Sequence, residues 1–113
     1  MLSTADLDAL LDRYTAMAEA ARANDWDRLS ALEREASGLR EAFQAAAGPD
    51  DAARIAALPP AEADALRSRI ERILALDAEI RSHTDPFLAS VRKLLAGGRQ
   101  ERAVRNAYGA LAP

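Results

Sequence analysis

Apolar residues recur at alternating intervals of three and four over two long stretches of this chain, and this spacing constrains the fold more than any other feature. One stretch runs from Leu29 to Ala46 and the other from Ala63 to Leu94. Such spacing places side chains on one face of an α-helix, whereas a half-buried strand needs a spacing of two. The apolar residues are mostly alanine and leucine, and only 4% of the chain is aromatic, which also favours helices. The sequence therefore predicts an all-α fold.

Two capping residues divide the N-terminal part into a hairpin. Ser3 and Asp6 match a capping box closely, so a first helix is predicted to begin there and to end at Asn24. Asp25 can cap a second helix at once, and so short a connection requires the two helices to run antiparallel. The apolar face of the first helix consists of Leu7, Leu10, Tyr14, Met17 and Ala21.

A longer connection precedes the third helix. The turn residues 48–51 and the pair Pro59-Pro60 interrupt the helical pattern, because neither proline has an N–H to donate. Residues 52–58 can form one helical turn between them. The apolar spacing resumes from Ala61, and the hairpin is predicted to pack on this third helix, the longest element of an antiparallel helical bundle.

Pro86 and the pair Gly97-Gly98 set the expected course of the third helix. The apolar spacing crosses Pro86 without a change of phase, which favours a kink over a restarted helix. Adjacent glycines cost about 1 kcal/mol each in a helix interior relative to alanine, so the helix is predicted to end there. Residues 99–113 then form a mobile tail with a short fourth helix, within a single domain of residues 1–113.

The charge balance and the N-terminus argue against several classes of protein. The net charge is −3 over 113 residues, unlike that of a uniformly basic nucleic-acid binder. Three aspartates precede the first basic residue, Arg13, whereas a signal peptide begins with positive charge. No stretch approaches the roughly 20 apolar residues of a membrane span. We expect a soluble, cytoplasmic protein without membrane insertion or direct nucleic-acid binding.

Residues that could carry catalysis or hold a metal are scarce. His83 is the only histidine and there is no cysteine, so the ligand sets of zinc and iron sites are missing. Aspartates cluster at predicted helix starts, where capping accounts for them. The sequence has no glycine-rich phosphate loop or nucleophile elbow. We expect neither enzymatic activity nor a cofactor or metal site.

The far part of the third helix is predicted to extend beyond the hairpin. At about 1.5 Å per residue, the first two helices span about 30 Å each and the third about 50 Å. Its uncovered apolar side chains need a partner: a second copy of the chain, the tail folded back, or an amphipathic segment of a different protein. These side chains belong to Phe87, Leu88, Val91, Leu94 and Leu95.

The C-terminal residues 92–113 are net basic, while the rest of the chain is net acidic. Their basic residues outnumber a single acidic residue, Glu101. Docking on an acidic protein surface is favoured over phosphate binding, which needs a groove-entering element and more positive charge. The basic residues are Arg92, Lys93, Arg99, Arg102 and Arg105.

Short motifs carry a resemblance to a known family. The turn Ala23-Asn24-Asp25-Trp26-Asp27 leads into the second helix, and Asn106-Ala107-Tyr108-Gly109 lies in the tail. Together with Leu76-Asp77-Ala78-Glu79 in the third helix, they make the chain similar to the FliT family of flagellar export chaperones over nearly its full length. Pro86 departs from the unbroken helix of some relatives.

The resemblance implies a cytoplasmic bundle that binds the C-terminal part of the flagellar filament-cap protein and delivers it to the export apparatus. It also implies contacts with export ATPase components, the export gate and, in some bacteria, the master flagellar transcription activator. Tyr108 matches the family's tail tyrosine, which is associated with docking at the gate. The expected client-binding residues are Ile80, Phe87, Leu88, Val91, Leu94 and Leu95. The tail would compete with the client through Val104 and Leu111.

Two other functions stay open at this point. A transcriptional anti-activator would act by contact with the activator, without touching DNA itself. A structural coiled-coil homodimer would instead bury the exposed part of the third helix against a second copy. The three hypotheses differ in the partner that the protein contacts.

Overall fold

The computed structural model describes the backbone of residues 2–111 and the side chains of residues 2–98, and this part of the chain contains four helices and no strand. The helices are α1 (Thr4–Arg22), α2 (Trp26–Ala46), α3 (Asp51–Ala56) and α4 (Pro60–Leu111). The predicted all-α bundle is confirmed, with the α1/α2 hairpin packed on α4. The single helical turn expected at residues 52–58 corresponds to α3.

The chain divides into two compact units, Met1–Arg81 and Ser82–Pro113. The first unit contains the hairpin, α3 and the N-terminal part of α4, and the second contains the C-terminal part of α4. All of the buried hydrophobic side chains among the described residues belong to the first unit. The first unit is therefore the part of the described chain that has a hydrophobic core.

The hairpin forms because both of its caps are satisfied as the sequence predicts. The Ser3 hydroxyl accepts a hydrogen bond from the Asp6 N–H at 3.2 Å, and the Asp6 carboxylate accepts one from the Ser3 N–H at 3.0 Å. The turn uses Asn24 with a positive φ of 56°, a conformation that asparagine tolerates better than most residues. Asp25 then caps α2 by accepting a hydrogen bond from the Arg28 N–H at 3.2 Å.

The core of the first unit combines leucine and isoleucine side chains with fully buried alanines. Ala18, Ala21 and Ala36 have no exposed surface, and such small side chains allow the helix backbones to approach closely. The larger core residues of α4 are Ile73, Leu76 and Ile80. The remaining core residues are Leu7, Leu10, Tyr14, Met17, Ala20 and Leu29.

Two ion pairs connect α1 to α4 and define their direction. Asp8, near the start of α1, accepts a hydrogen bond from Arg69 at 2.7 Å. Arg22, at the end of α1, donates to both carboxylate oxygens of Glu79, at 2.7 and 2.8 Å. Because the later residue of α1 pairs with the later residue of α4, these two helices run parallel.

The Arg40 guanidinium of α2 is a hydrogen-bond partner for the buried hydroxyl group of Tyr14 in α1. The Arg40 guanidinium donates to the Tyr14 hydroxyl at 2.6 Å and to the Glu33 carboxylate at 2.7 Å, and it lies 5.9 Å from the centre of the Tyr14 ring. Burial raises the pKa of Tyr14 above its ordinary value, and the hydrogen bond with Glu33 raises the pKa of Arg40. Arg40 thus stays charged and Tyr14 neutral, which keeps the hydrogen bond between Arg40 of α2 and Tyr14 of α1 in place.

The structure differs from the sequence prediction at the end of the long helix. α4 runs without interruption through Pro86, Gly97 and Gly98 to Leu111, so there is no separate fourth helix at residues 99–113 in the described backbone. Neither glycine has a positive φ. A cost of about 1 kcal/mol per glycine weakens a helix but does not end it, because a glycine in helical conformation still donates and accepts the helical hydrogen bonds.

Replacing Gly97 and Gly98 with alanine is expected to stabilise the C-terminal part of α4. An added Cβ at either position meets no atom within 4 Å, so the helix gains about 1 kcal/mol per substitution. Amide hydrogen exchange around these residues should slow by about 5- to 30-fold. The matched control is Gly38→Ala, which also meets no atom within 4 Å but lies in α2. Unchanged exchange in α4 would show that the two glycines are not helical in solution.

Candidate functional site

An exposed apolar surface lies on α4 in the second unit, and we call it the α4 strip. It consists of Phe87, Leu88, Val91, Leu94 and Leu95. The exposed fractions are 41% for Phe87, 43% for Leu88, 76% for Leu94 and 58% for Leu95. Val91 is half-buried. Large apolar side chains this exposed at adjacent helical positions are typical of a surface that another element covers.

The α4 strip is exposed because its unit has no second layer. In the backbone that the structure describes, residues 82–111 are all part of α4. A single helix can bury an apolar face only against another helix or a sheet. The described part of the second unit offers neither, so the strip has no internal core to join.

The spacing that produces the α4 strip also produces the core of the first unit. Ile73, Leu76 and Ile80 follow the same alternation of three and four and are only 3–9% exposed. Ile80 was expected to bind the client, but at 6% exposure it belongs to the core and offers almost no surface to a partner. Sequence spacing alone could not separate it from Phe87, because both occupy the same apolar pattern. The α4 strip therefore begins at Phe87.

Small and basic side chains border the C-terminal part of the α4 strip. Leu94 forms one side of a shallow depression that also contains Ser90, Lys93, Gly97 and Gly98. The depression exists because the two glycines have no side chain to fill it. An apolar side chain of a partner could therefore contact Leu94 close to the helix backbone. Arg92 and Lys93 are both exposed beside it, which favours a partner with acidic residues at the edge of its apolar face.

The predicted tail contains three residues with expected roles in binding. The side chains of Val104, Tyr108 and Leu111 lie outside the described residues. Their backbone is part of α4. Their assigned roles in self-contact and gate docking stay predictions.

The described residues contain no candidate metal centre and no membrane span. Nowhere in that part of the chain do three or more histidine or acidic side chains converge on one point where a metal ion could bind. None of its helices combines the length and the apolar composition that crossing a bilayer requires.

A second apolar surface, which the sequence analysis missed, is a groove in the first unit. We call it the α3 groove. It has a volume of about 520 Å³, and its apolar lining includes Leu2, Leu7, Ile55, Leu58, Leu66 and Ile70. Ile55 and Ile70 remain 44% and 43% exposed. The one signal in the sequence is Ile55, the only large apolar residue in α3.

Comparison with known proteins gives one match. The family described as "Flagellar protein FliT" matches residues 4–110. This range covers α1, α2, α3 and nearly all of α4, so the match includes both the hairpin and the α4 strip. No curated protein and no solved structure matches the chain.

Proposed function

The chain belongs to the flagellar protein FliT family, and we propose that it is the export chaperone of the flagellar filament-cap protein. FliT proteins are flagellar export chaperones, not an enzyme family. The client's C-terminal segment binds the α4 strip before secretion, and the chaperone then delivers it to the export apparatus.

The exposure of the α4 strip carries this proposal. Phe87, Leu88, Leu94 and Leu95 are 41–76% exposed on a helix with no second layer in its own unit. Burying a large apolar side chain stabilises a complex by about 1.5–3 kcal/mol. A client segment with apolar residues at helical spacing can cover several of these side chains at once. Binding also buries the client's own apolar residues, so the bound client does not aggregate.

The tail is proposed to regulate access to the α4 strip. Because residues 99–111 continue α4 in the structure, this requires the helix to open at Gly97 and Gly98, where two glycines weaken it. Val104 and Leu111 then supply apolar contacts that compete with the client for the strip. The client can bind only to molecules in which the tail does not cover the strip. Its apparent affinity is therefore proportional to the fraction of molecules whose strip is free. Client binding would in turn free Tyr108 to dock at the export gate, with the export ATPase components as further partners.

Removing the tail is expected to strengthen client binding. A chain that ends at residue 98 retains the whole α4 strip but lacks Val104 and Leu111. Its dissociation constant for the C-terminal segment of the filament-cap protein should fall about 5- to 150-fold relative to the full chain, because typical coupling energies are about 1–3 kcal/mol. Isothermal titration calorimetry measures both constants directly.

The control for this experiment is Tyr108→Ala in the full chain. It keeps both apolar tail contacts, so its client affinity should match that of the unmodified protein, while its binding to the export gate weakens. Equal affinities for the truncated and full chains would disprove the competition. Absence of binding by both chains would disprove the choice of client, and a titration with the master transcription activator would then test the anti-activator hypothesis.

A further inference from the structure

The short helix α3 is weakly held within the first unit. It has six residues, all of them described, and none of them is buried. In the described chain its N-cap, Asp50, makes no side-chain capping hydrogen bond, whereas Ser3 and Asp25 both cap their helices. A helix shorter than about 12 residues does not persist in water by itself. The position of α3 therefore depends on its contacts with the rest of the unit.

The apolar contact between α3 and the rest of the unit is small. Ile55 is the only large apolar residue of α3, and it lines the α3 groove together with Leu58, three residues later. Leu66 and Ile70 of α4 line the same groove. Ile55 and Ile70 remain 44% and 43% exposed, so each buries little more than half of its surface. Such a contact stabilises the closed position less than full burial of the same side chains would.

The connections at both ends of α3 leave it free to move as one segment. Neither Pro59 nor Pro60 has an N–H to donate, so the hydrogen bonds at the end of α3 stop with the Leu58 N–H, which donates to the Ile55 carbonyl. Before α3, Gly48 and Asp51 donate hydrogen bonds to each other at 3.0 and 3.2 Å. In the described backbone, α3 can therefore detach without breaking a helical hydrogen bond of α2 or α4.

We propose that α3 is a lid that opens and closes over the α3 groove while α1, α2 and α4 stay folded, with Ile55 as the side chain that holds it closed. Opening removes Ile55 and Leu58 from the groove and uncovers apolar side chains of α1 and α4, among them Leu7, Leu66 and Ile70. Because the detached helix does not persist, each opening also exposes its N–H groups to solvent. This device lies outside the α4 strip and does not depend on the choice of client.

Amide hydrogen exchange of the full chain, in urea concentrations below the unfolding transition, tests the lid. The N–H groups of Arg54, Ala57 and Leu58 should exchange at least about 100-fold faster than those of α1, yet more slowly than in an unfolded chain. Their rates should not change with urea, because a local opening exposes little surface, whereas exchange in α1 should accelerate. Equal rates with equal urea dependence would overturn the proposal, since α3 would then open only with the core. Exchange at the rate of an unfolded chain would also overturn it, since the lid would never close.

Two variants test whether Ile55 holds the lid closed. Ile55→Ala should speed exchange in α3 about 5- to 10-fold and leave α1 unchanged, although the higher helix propensity of alanine by itself would slow it. The matched control is Arg54→Ala on the same helix. Arg54 is not among the residues that line the groove, so its replacement should change exchange by less than about twofold.

Ile70→Ala changes the α4 side of the same contact and should speed exchange in α3 by a similar factor. Adding Ile55→Ala to it should have little further effect, because the two side chains share one contact. Slower or unchanged exchange in Ile55→Ala would overturn the proposal, and so would effects of the two variants that multiply in the double variant.

Discussion

Replacing both Leu94 and Leu95 with aspartate is expected to abolish measurable binding of the filament-cap segment. These are the two most exposed leucines of the α4 strip, at 76% and 58%. Burial of each leucine by the client contributes about 1.5–3 kcal/mol, and every 1.4 kcal/mol changes affinity about tenfold. The double variant should therefore bind at least about 100-fold more weakly in calorimetry. An aspartate in the contact adds the cost of removing a carboxylate from water.

The matched control for this variant is Leu74→Asp. Leu74 lies on the same helix and is 61% exposed, but it belongs to the first unit and not to the α4 strip. It introduces the same type of side chain with the same effect on helix propensity. If Leu74→Asp weakened client binding as much as the double variant did, the client would not be held by the α4 strip in particular.

Leu76→Ala is expected to destabilise the first unit strongly, although it changes the same residue type as the neighbouring Leu74→Ala. Leu76 is 3% exposed in the core, so truncation removes buried contacts and leaves a cavity, at a cost of about 2–5 kcal/mol. Leu74 is 61% exposed, and its truncation should change the free energy of unfolding by less than about 0.5 kcal/mol. Both changes gain the same helix propensity, so the difference reports burial alone.

Trp26 provides the measurement for this pair of variants. It is the only tryptophan and packs against the core of the first unit, so its fluorescence follows unfolding of that unit. The melting temperature of Leu76→Ala should fall by about 10 °C or more, given roughly 4–8 °C per kcal/mol for a unit of this size. Similar melting temperatures for the two variants would show that Leu76 is not buried as the structure describes.

The helices were predictable because their signals are local. Ser3 and Asp25 cap α1 and α2 through hydrogen bonds that span only three residues, and such contacts can be read from a short window of sequence. The apolar spacing identified most of the core of the first unit for the same reason. The family resemblance inferred from the hairpin turn and the tail motif is confirmed by the match over residues 4–110.

The features that the sequence did not reveal depend on contacts between distant residues or on a balance of small energies. Whether Ile80 is core or surface depends on which residues of α4 pack against the hairpin, which no spacing encodes. Continuity through Gly97 and Gly98 depends on a penalty of about 1 kcal/mol per glycine against the cooperativity of a long helix. The α3 groove depends on how Ile55 meets α4 across a turn. The tail interactions and the client stay predictions.

The two ion pairs between α1 and α4 also discriminate against the reversed topology. Asp8 meets Arg69 and Arg22 meets Glu79, so each helix carries one charge of each sign, in opposite order. If α4 were flipped end to end, Asp8 would face Glu79 and Arg22 would face Arg69. Exposed pairs such as these add little stability in the native arrangement. Their main effect is to destabilise the bundle in which α4 is reversed, because like charges would then repel. Without this repulsion, the alanine-rich and leucine-rich faces could pack almost as well in the reversed direction.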